Sequence, residues 1–134
     1  MTKFNTLVLT VGLPRSGKSE WAKRQGCPVV NPDSIRLALH GRNFIEEAEP
    51  MIWVMAKYMV KALFYAGHST IILDATNITK ERRDFWEGEF WDTHHQYINT
   101  PKYICIERAI KTNKEYLIPI IERMDEERQN EVST

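Results

Sequence analysis

Apolar positions along this chain follow two rhythms. Unbroken apolar and β-branched runs at Thr6-Leu7-Val8-Leu9-Thr10-Val11 and Ser69-Thr70-Ile71-Ile72-Leu73-Asp74 predict buried strands. Cys27-Pro28-Val29-Val30-Asn31 predicts a shorter strand and Gln96-Tyr97-Ile98-Asn99 a fourth. Elsewhere the period lengthens to that of a helix. Met51, Ile52, Met55, Tyr58, Met59, Ala62, Leu63 and Ala66 draw a broad apolar face on a helix from about Glu47 to Ala66, ended by Gly67, with the methionines filling core. Pro50 is tolerable only in its first turn. Other helices are expected after Ser19, over Pro32 to Leu39 with Asn31 as N-cap, and over about Lys80 to Trp91 with Trp86 and Trp91 packing near one face. Two more follow, one capped by Thr100 with Pro101 in first position and reaching about Lys111, the other from Leu117 to about Glu127. Gly41-Arg42-Asn43 reads as a turn. Strands alternating with helices predict an α/β fold on a parallel sheet.

One stretch gives that sheet a chemistry. Gly12-Leu13-Pro14-Arg15-Ser16-Gly17-Lys18-Ser19, the GxxxxGK(S/T) pattern of a phosphate-binding loop, lies between the first strand and the helical Ser19-Glu20-Trp21-Ala22-Lys23-Arg24. The two glycines let the backbone wrap a phosphate with its N–H groups turned inward, and the helix beginning near Gly17 adds the positive end of its dipole. Lys18 can then reach the β- and γ-phosphates of ATP, and the Ser19 hydroxyl can ligate Mg²⁺. The bland alternative is a glycine-rich turn with an exposed lysine, and the flanking strand and helix argue against it.

Two carboxylates take their places from this loop. Asp33 and Arg36 stand three apart on the second helix, at the edge of the sheet where ligands bind. There Asp33 can accept a proton from a hydroxyl attacking the γ-phosphate; a first-turn aspartate favoured by the helix dipole and a solvated arginine would explain the pair equally. Asp74 ends the Ser69 to Asp74 strand at the same edge, where a carboxylate commonly holds Mg²⁺, though capping of the next turn is open as well. After the last strand, Arg108, Lys111, Lys114 and Arg123 are the cations available to a charged helix-loop-helix with the character of a lid, about residues 108–119.

Composition narrows the setting. The 134 residues, 43% hydrophobic and 27% charged, suit one globular domain over 1–134. Formal net charge is zero, so any polyanion site must be local. No apolar run is long enough for a membrane span, and Met1-Thr2-Lys3-Phe4-Asn5 leads into the first strand instead of a signal peptide, so a soluble cytoplasmic protein is expected. Cys27 and Cys105 form no metal or redox pattern and are expected as reduced, packing thiols; His94 and His95 have no ligand partners at useful spacing and are expected at the surface.

The order of Gly12 to Ser19, then Asn31-Pro32-Asp33-Ser34-Ile35-Arg36, then Leu73-Asp74-Ala75-Thr76-Asn77 with Glu81-Arg82-Arg83, resembles the kinase domain of bacteriophage polynucleotide kinase. It is also similar to the wider set of small P-loop kinases that includes zeta toxins and chloramphenicol phosphotransferase. The resemblance implies a P-loop NTPase-type three-layer sandwich, about four parallel strands between helices, that transfers phosphate from ATP·Mg²⁺ to a hydroxyl, typically the 5′-hydroxyl of a nucleic acid end. It implies that Lys18 and Ser19 hold nucleotide and metal, that Asp33 is the general base, that Arg36 grips an acceptor phosphate, and that Asp74 with Thr76 helps build the acceptor and metal site. Arg82 falls in the same acceptor motif, and Arg36, Arg42, Arg82 and Arg83 could form a local basic groove. Arg108 is the expected transition-state cation; where the family carries arginines across its lid, this chain has Lys111 and a short polar link, and a lysine lacks the bidentate fork. A small-molecule kinase with the same site, acting on a nucleoside, sugar nucleotide or antibiotic, and an ATP-binding regulatory module without transfer both remain open.

Overall fold

A computed structural model describes residues 5–41, 44–88 and 90–132. Arg42 and Asn43 of the predicted turn, and Met1 to Phe4, lie outside the described residues. The elements are β1 (Thr6–Val11), α1 (Lys18–Lys23), β2 (Val29–Val30), α2 (Pro32–His40), α3 (Glu49–Tyr65), β3 (Thr70–Leu73), α4 (Lys80–Asp84), β4 (Asp92–Tyr97), α5 (Lys102–Lys111) and α6 (Ile118–Val132), with 3₁₀ turns at Glu46–Ala48 and Glu115–Leu117. The four strands form one parallel sheet in the order β2-β3-β1-β4, flanked by helices.

The register of the central pair organises the core. Leu7 lies beside Ile71 and Leu9 beside Leu73, so these side chains share a face. Against that face α3 sets Ile52, Ala56, Val60 and Phe64, spaced four apart and all buried. The buried stripe is therefore rotated from the expected one: Met51, Tyr58 and Met59 are exposed, and of the methionines on α3 only Met55 packs on the core. A helix rich in apolar residues all round leaves periodicity unable to choose a face, and the small Ala56 lets α3 approach the sheet. A second cluster joins Val11, Leu13 and Ile78 to Cys105 and Ala109 of α5 and Ile121 of α6. Both cysteines are free, Cys105 buried and Cys27 partly so.

Three other expectations are corrected. The helix predicted to reach Trp91 ends at Asp84, because Trp86 and Trp91 are drawn into the core from irregular chain, the Trp91 indole donating to the Trp86 carbonyl at 2.8 Å. The fourth strand is Asp92–Tyr97 instead of Gln96 to Asn99; it pairs with β1 alone, and as an edge strand it carries few apolar residues. Thr100 does not cap α5: Pro101 takes the N-cap position, and the Thr100 hydroxyl is used elsewhere. As expected, Asn31 caps α2, its side-chain oxygen accepting from Asp33 N at 2.8 Å, with Pro32 in first position. His94 is exposed and His95 half-buried on β4.

Candidate active site

β1 delivers the chain to the carboxyl edge of the sheet, and the loop of residues 12–19 follows at once. Gly12 is fixed by crowding: a Cβ there would lie 2.8 Å from both the Ile98 carbonyl and the Ser16 hydroxyl. Gly17 is fixed by its backbone, at φ +102°, from which α1 begins. The N–H groups of Lys18, Ser19 and Glu20 belong to the first turn of α1, which the helix leaves without acceptors of its own. Leu13 and Ser16 are buried, Pro14 and Arg15 half-buried. The loop thus leads into a helix start whose first N–H groups have no helix acceptor, as an anion site requires.

Lys18 lies inside this loop with 8% of its surface exposed. Its ammonium donates to the Leu13 carbonyl at 2.7 Å. Burial lowers its pKa from 10.5 to about 8, opposed first by the charge of Asp74 and less by Asp33. Among the described residues this buried ammonium is held only by a carbonyl and a weak contact to the Ser16 hydroxyl, and it is poised to take an anionic partner.

Asp74, the residue just past β3, is buried. Its Oδ2 accepts from the Ser19 hydroxyl at 2.6 Å and from the Asn31 amide at 3.2 Å. Hydroxyl and carboxylate at one point are hard oxygen donors that suit Mg²⁺. Among the described residues no group of three or more His, Cys, Asp or Glu side chains could hold a metal alone, so an ion here would need phosphate and water as well.

Asp33 stands on the rim, at the first turn of α2, 69% exposed. Its Oδ1 accepts from Arg36 Nη1 at 2.5 Å. Arg36 also forks onto Glu49 of α3, Nε to Oε2 at 2.8 Å and Nη2 to Oε1 at 2.6 Å. Three of the five guanidinium donors are thereby used and two are left. Across Trp53, whose ring Arg36 approaches at 5.8 Å, the Arg82 guanidinium carbon lies over the ring, 3.9 Å from its centre. Burial, and to a smaller degree the charge of Arg36, lowers the pKa of Arg82, while Glu49 and Glu81 oppose it. Arg83 turns away from this pair, donating to the Asn77 and Ile78 carbonyls and to Glu131 of α6. It therefore adds nothing to a groove with Arg36 and Arg82.

Several residues escape the motif. Thr100 donates to the Ser16 carbonyl at 2.7 Å, and Arg108 Nη1 to the Arg15 carbonyl at 3.2 Å, so the β4–α5 side clamps the outer wall of the loop. Lys111 and Arg123 are instead paired along their own helices with Glu107 and Glu127. Thr10 accepts from Ala75 N and donates to its carbonyl, Asn77 donates to the Thr10 carbonyl, and Gly12 N donates to the Thr76 carbonyl. Those bonds fix the 74–77 segment beside the loop. None of these partners is near in sequence, and only the polar residues in an otherwise apolar β1 hinted at Thr10.

The parallel sheet, the loop and the strand-end aspartate define a P-loop kinase-like α/β protein. Residues 7–118 match the AAA domain family, and the chain belongs to it. Among solved structures it is similar to a chain of the Pnkp1/Rnl/Hen1 complex, at 27% identity and a TM-score of 0.71 over 81% of this chain and 40% of that one. A chain of the Pnkp1/Rnl/Hen1 RNA repair complex aligns at 22% identity with a TM-score of 0.81, over 97% of this chain and 46% of that one. A gluconokinase from Sinorhizobium meliloti 1021 shares the fold at 15% identity and a TM-score of 0.58, over 92% of this chain and 76% of that one. The chain spans less than half the length of the two Pnkp1/Rnl/Hen1 chains. No helix among the described residues is long and apolar enough to cross a membrane.

Proposed function

We propose that the protein is an ATP-dependent kinase that phosphorylates the 5′-hydroxyl of a polynucleotide. The observation that carries this reading is an exposed carboxylate, Asp33, paired with Arg36, with the Arg82 guanidinium across Trp53 and the charge of Asp33 felt by the buried Lys18. A hydroxyl flanked by phosphate needs such a set: a base for its proton and cations for its neighbour. The 27% identity to a chain of the Pnkp1/Rnl/Hen1 complex supports it.

In this reading the amides of residues 12–19 and the Lys18 ammonium bind the β- and γ-phosphates of ATP. Ser19 and Asp74 would hold Mg²⁺, which supplies neutralising charge at the phosphates when bound. Asp33 orients the acceptor hydroxyl and takes its proton as the oxygen attacks in line. Arg36, braced by Glu49, spends its two remaining donors on the acceptor phosphate, with Arg82 beside it and the Thr76 segment forming the floor. Arg108 closes on the transferring phosphoryl group from α5, the start of a lid of about residues 108–119.

Incubation with labelled ATP and Mg²⁺ against 5′-hydroxyl DNA and RNA oligonucleotides, nucleosides, gluconate-like sugars and other hydroxylated small molecules tests the reading. Transfer to the oligonucleotides at a kcat/KM at least ~100-fold above the small acceptors is expected. Transfer confined to small molecules would replace it with a small-molecule kinase, and ATP turnover indifferent to every acceptor would replace it with a regulatory ATP-binding module.

Arg108 gives a second test. Arg108→Ala is expected to lower kcat about 100-fold at saturating ATP, the effect of removing one charged donor from a transferring phosphoryl group. Arg108→Lys should recover little, lacking the planar fork. An unchanged kcat in Arg108→Ala would remove Arg108 from the mechanism.

A further inference from the structure

A second cationic surface adjoins the rim and is not used by the residues above. On α3, Val54, Lys57, Tyr58 and Lys61 line a depression of about 220 Å³ with Phe85. A smaller one of about 120 Å³ continues from Lys57 and Lys61 to Glu87 and Phe90. Tyr58 is 67% exposed and Val54 50%, on a helix whose opposite stripe is the core. The Lys57 ammonium lies 4.1 Å from the centre of the Phe85 ring and donates to the Phe85 carbonyl at 2.6 Å. The Lys61 ammonium lies 5.7 Å from the Tyr58 ring.

Neither lysine has an acidic partner among the described residues, whereas Lys80, Lys111 and Arg123 elsewhere on the surface are paired within their helices. Glu87, the one carboxylate among the described residues that line the strip, accepts from the Thr93 hydroxyl at 2.9 Å. Burial first, and then repulsion from Lys61, lowers the pKa of Lys57, so an added anion would relieve both cations. In a chain of zero net charge this is a local excess of positive charge set among aromatic faces.

The strip is continuous with the rim. Arg82 stacks on Trp53 at 3.9 Å, Trp53 meets Phe85 edge-on at 6.3 Å, and Phe85 underlies Lys57. From Trp53 to Lys61 is eight residues of helix, about 12 Å. Lys57 and Lys61 stand one helical turn apart along that length, so each can take a backbone phosphate of one strand. Cations that track a backbone, interleaved with aromatic rings that accept any base, are what an unpaired strand requires.

We propose that Lys57, Tyr58 and Lys61 form a subsite for the unpaired strand just 3′ of the phosphorylated end, the lysines taking backbone phosphates and Tyr58 stacking a base. The proposal rests on the reading of the protein as a polynucleotide 5′-hydroxyl kinase. Its test is steady-state phosphorylation of a nucleoside 3′-phosphate and of single strands of two, four, eight and twelve nucleotides, by the unaltered protein and by Lys61→Gln, Tyr58→Ala and their double variant. Both positions are on the outer side of α3, and Lys57→Gln is added as a separate variant because Lys57 is tied to the Phe85 carbonyl. For the unaltered protein KM should fall at least ~10-fold from nucleoside 3′-phosphate to octamer. The double variant should lose at least ~5-fold of that gain, in KM and not kcat. Each lysine removed should flatten the dependence of log KM on log salt by about 0.7. Octamer phosphorylation with the same length profile and salt slope in the double variant would overturn the subsite and leave the kinase reading standing. Absence of transfer to every oligonucleotide, with transfer to small hydroxyl compounds, would overturn both.

Discussion

Asp33→Asn is expected to lower kcat for transfer to a hydroxyl by about 1,000-fold while changing the Kd for MgATP by less than about threefold. The substitution keeps the shape of the side chain and an oxygen that can still accept from Arg36, but it removes the group that takes the proton. General-base catalysis by a positioned carboxylate is worth about 10²–10⁴ in rate, so the loss should fall in that interval. Nucleotide affinity should survive because Asp33 is only a distant contributor to the charge felt by Lys18, behind burial and Asp74. Stability should survive too, since an aspartate 69% exposed and paired with its neighbour on one helix contributes little to folding. Rapid-quench measurement of one turnover, with nucleotide binding titrated separately, checks both halves. Full transfer by Asp33→Asn would show that the base is elsewhere, and a large loss of MgATP affinity would make Asp33 part of the nucleotide site instead.

The placement of the loop, Asp33 and Asp74 at one edge of the sheet was legible in the sequence, because the features behind it are local. A loop of eight residues, an N-cap with proline behind it and an acid at the end of an apolar run each sit within a few positions of one another. The alternating elements and the parallel sheet were legible for the same reason. What escaped depends on distant contacts. Glu49 braces Arg36 from thirteen residues away, and nothing in its local sequence points to that partner. Thr100, read as a cap, reaches back 84 residues to Ser16. β4 was misplaced because an edge strand with one neighbour can be built from Asp92, Thr93, His94 and His95. The outer stripe of α3 was misassigned because its lysines and Tyr58 alternate with apolar residues on every side, and only packing on Leu7, Leu9, Ile71 and Leu73 selects the inner face.

Lys18→Ala is expected to weaken MgATP at least ~50-fold and to reduce kcat/KM by more than ~1,000-fold, since one ammonium serves both the bound phosphates and the charge that moves during transfer. Its buried position adds a pH signature. The folded-state pKa of about 8 lies below the ordinary 10.5, so folding disfavours the charged lysine. The contribution of Lys18 to stability is therefore most favourable above pH 10.5, declines as pH falls toward 8, and below that stands at its full penalty, on the order of 3 kcal/mol. Lys18→Ala should accordingly raise the melting temperature of the nucleotide-free protein at pH 7 while destroying its activity. A bound polyphosphate reverses the balance, because opposite charge at the ammonium favours protonation. At pH 9 the free protein holds Lys18 mostly neutral, and nucleotide binding should take up close to one proton, against about a tenth of one at pH 7 from this group. Calorimetric titration of MgADP at pH 9 in buffers of different ionisation enthalpy measures that uptake directly. The Lys18→Ala protein should show none, and an equal absence in the unaltered protein would mean that Lys18 is already charged before any phosphate arrives.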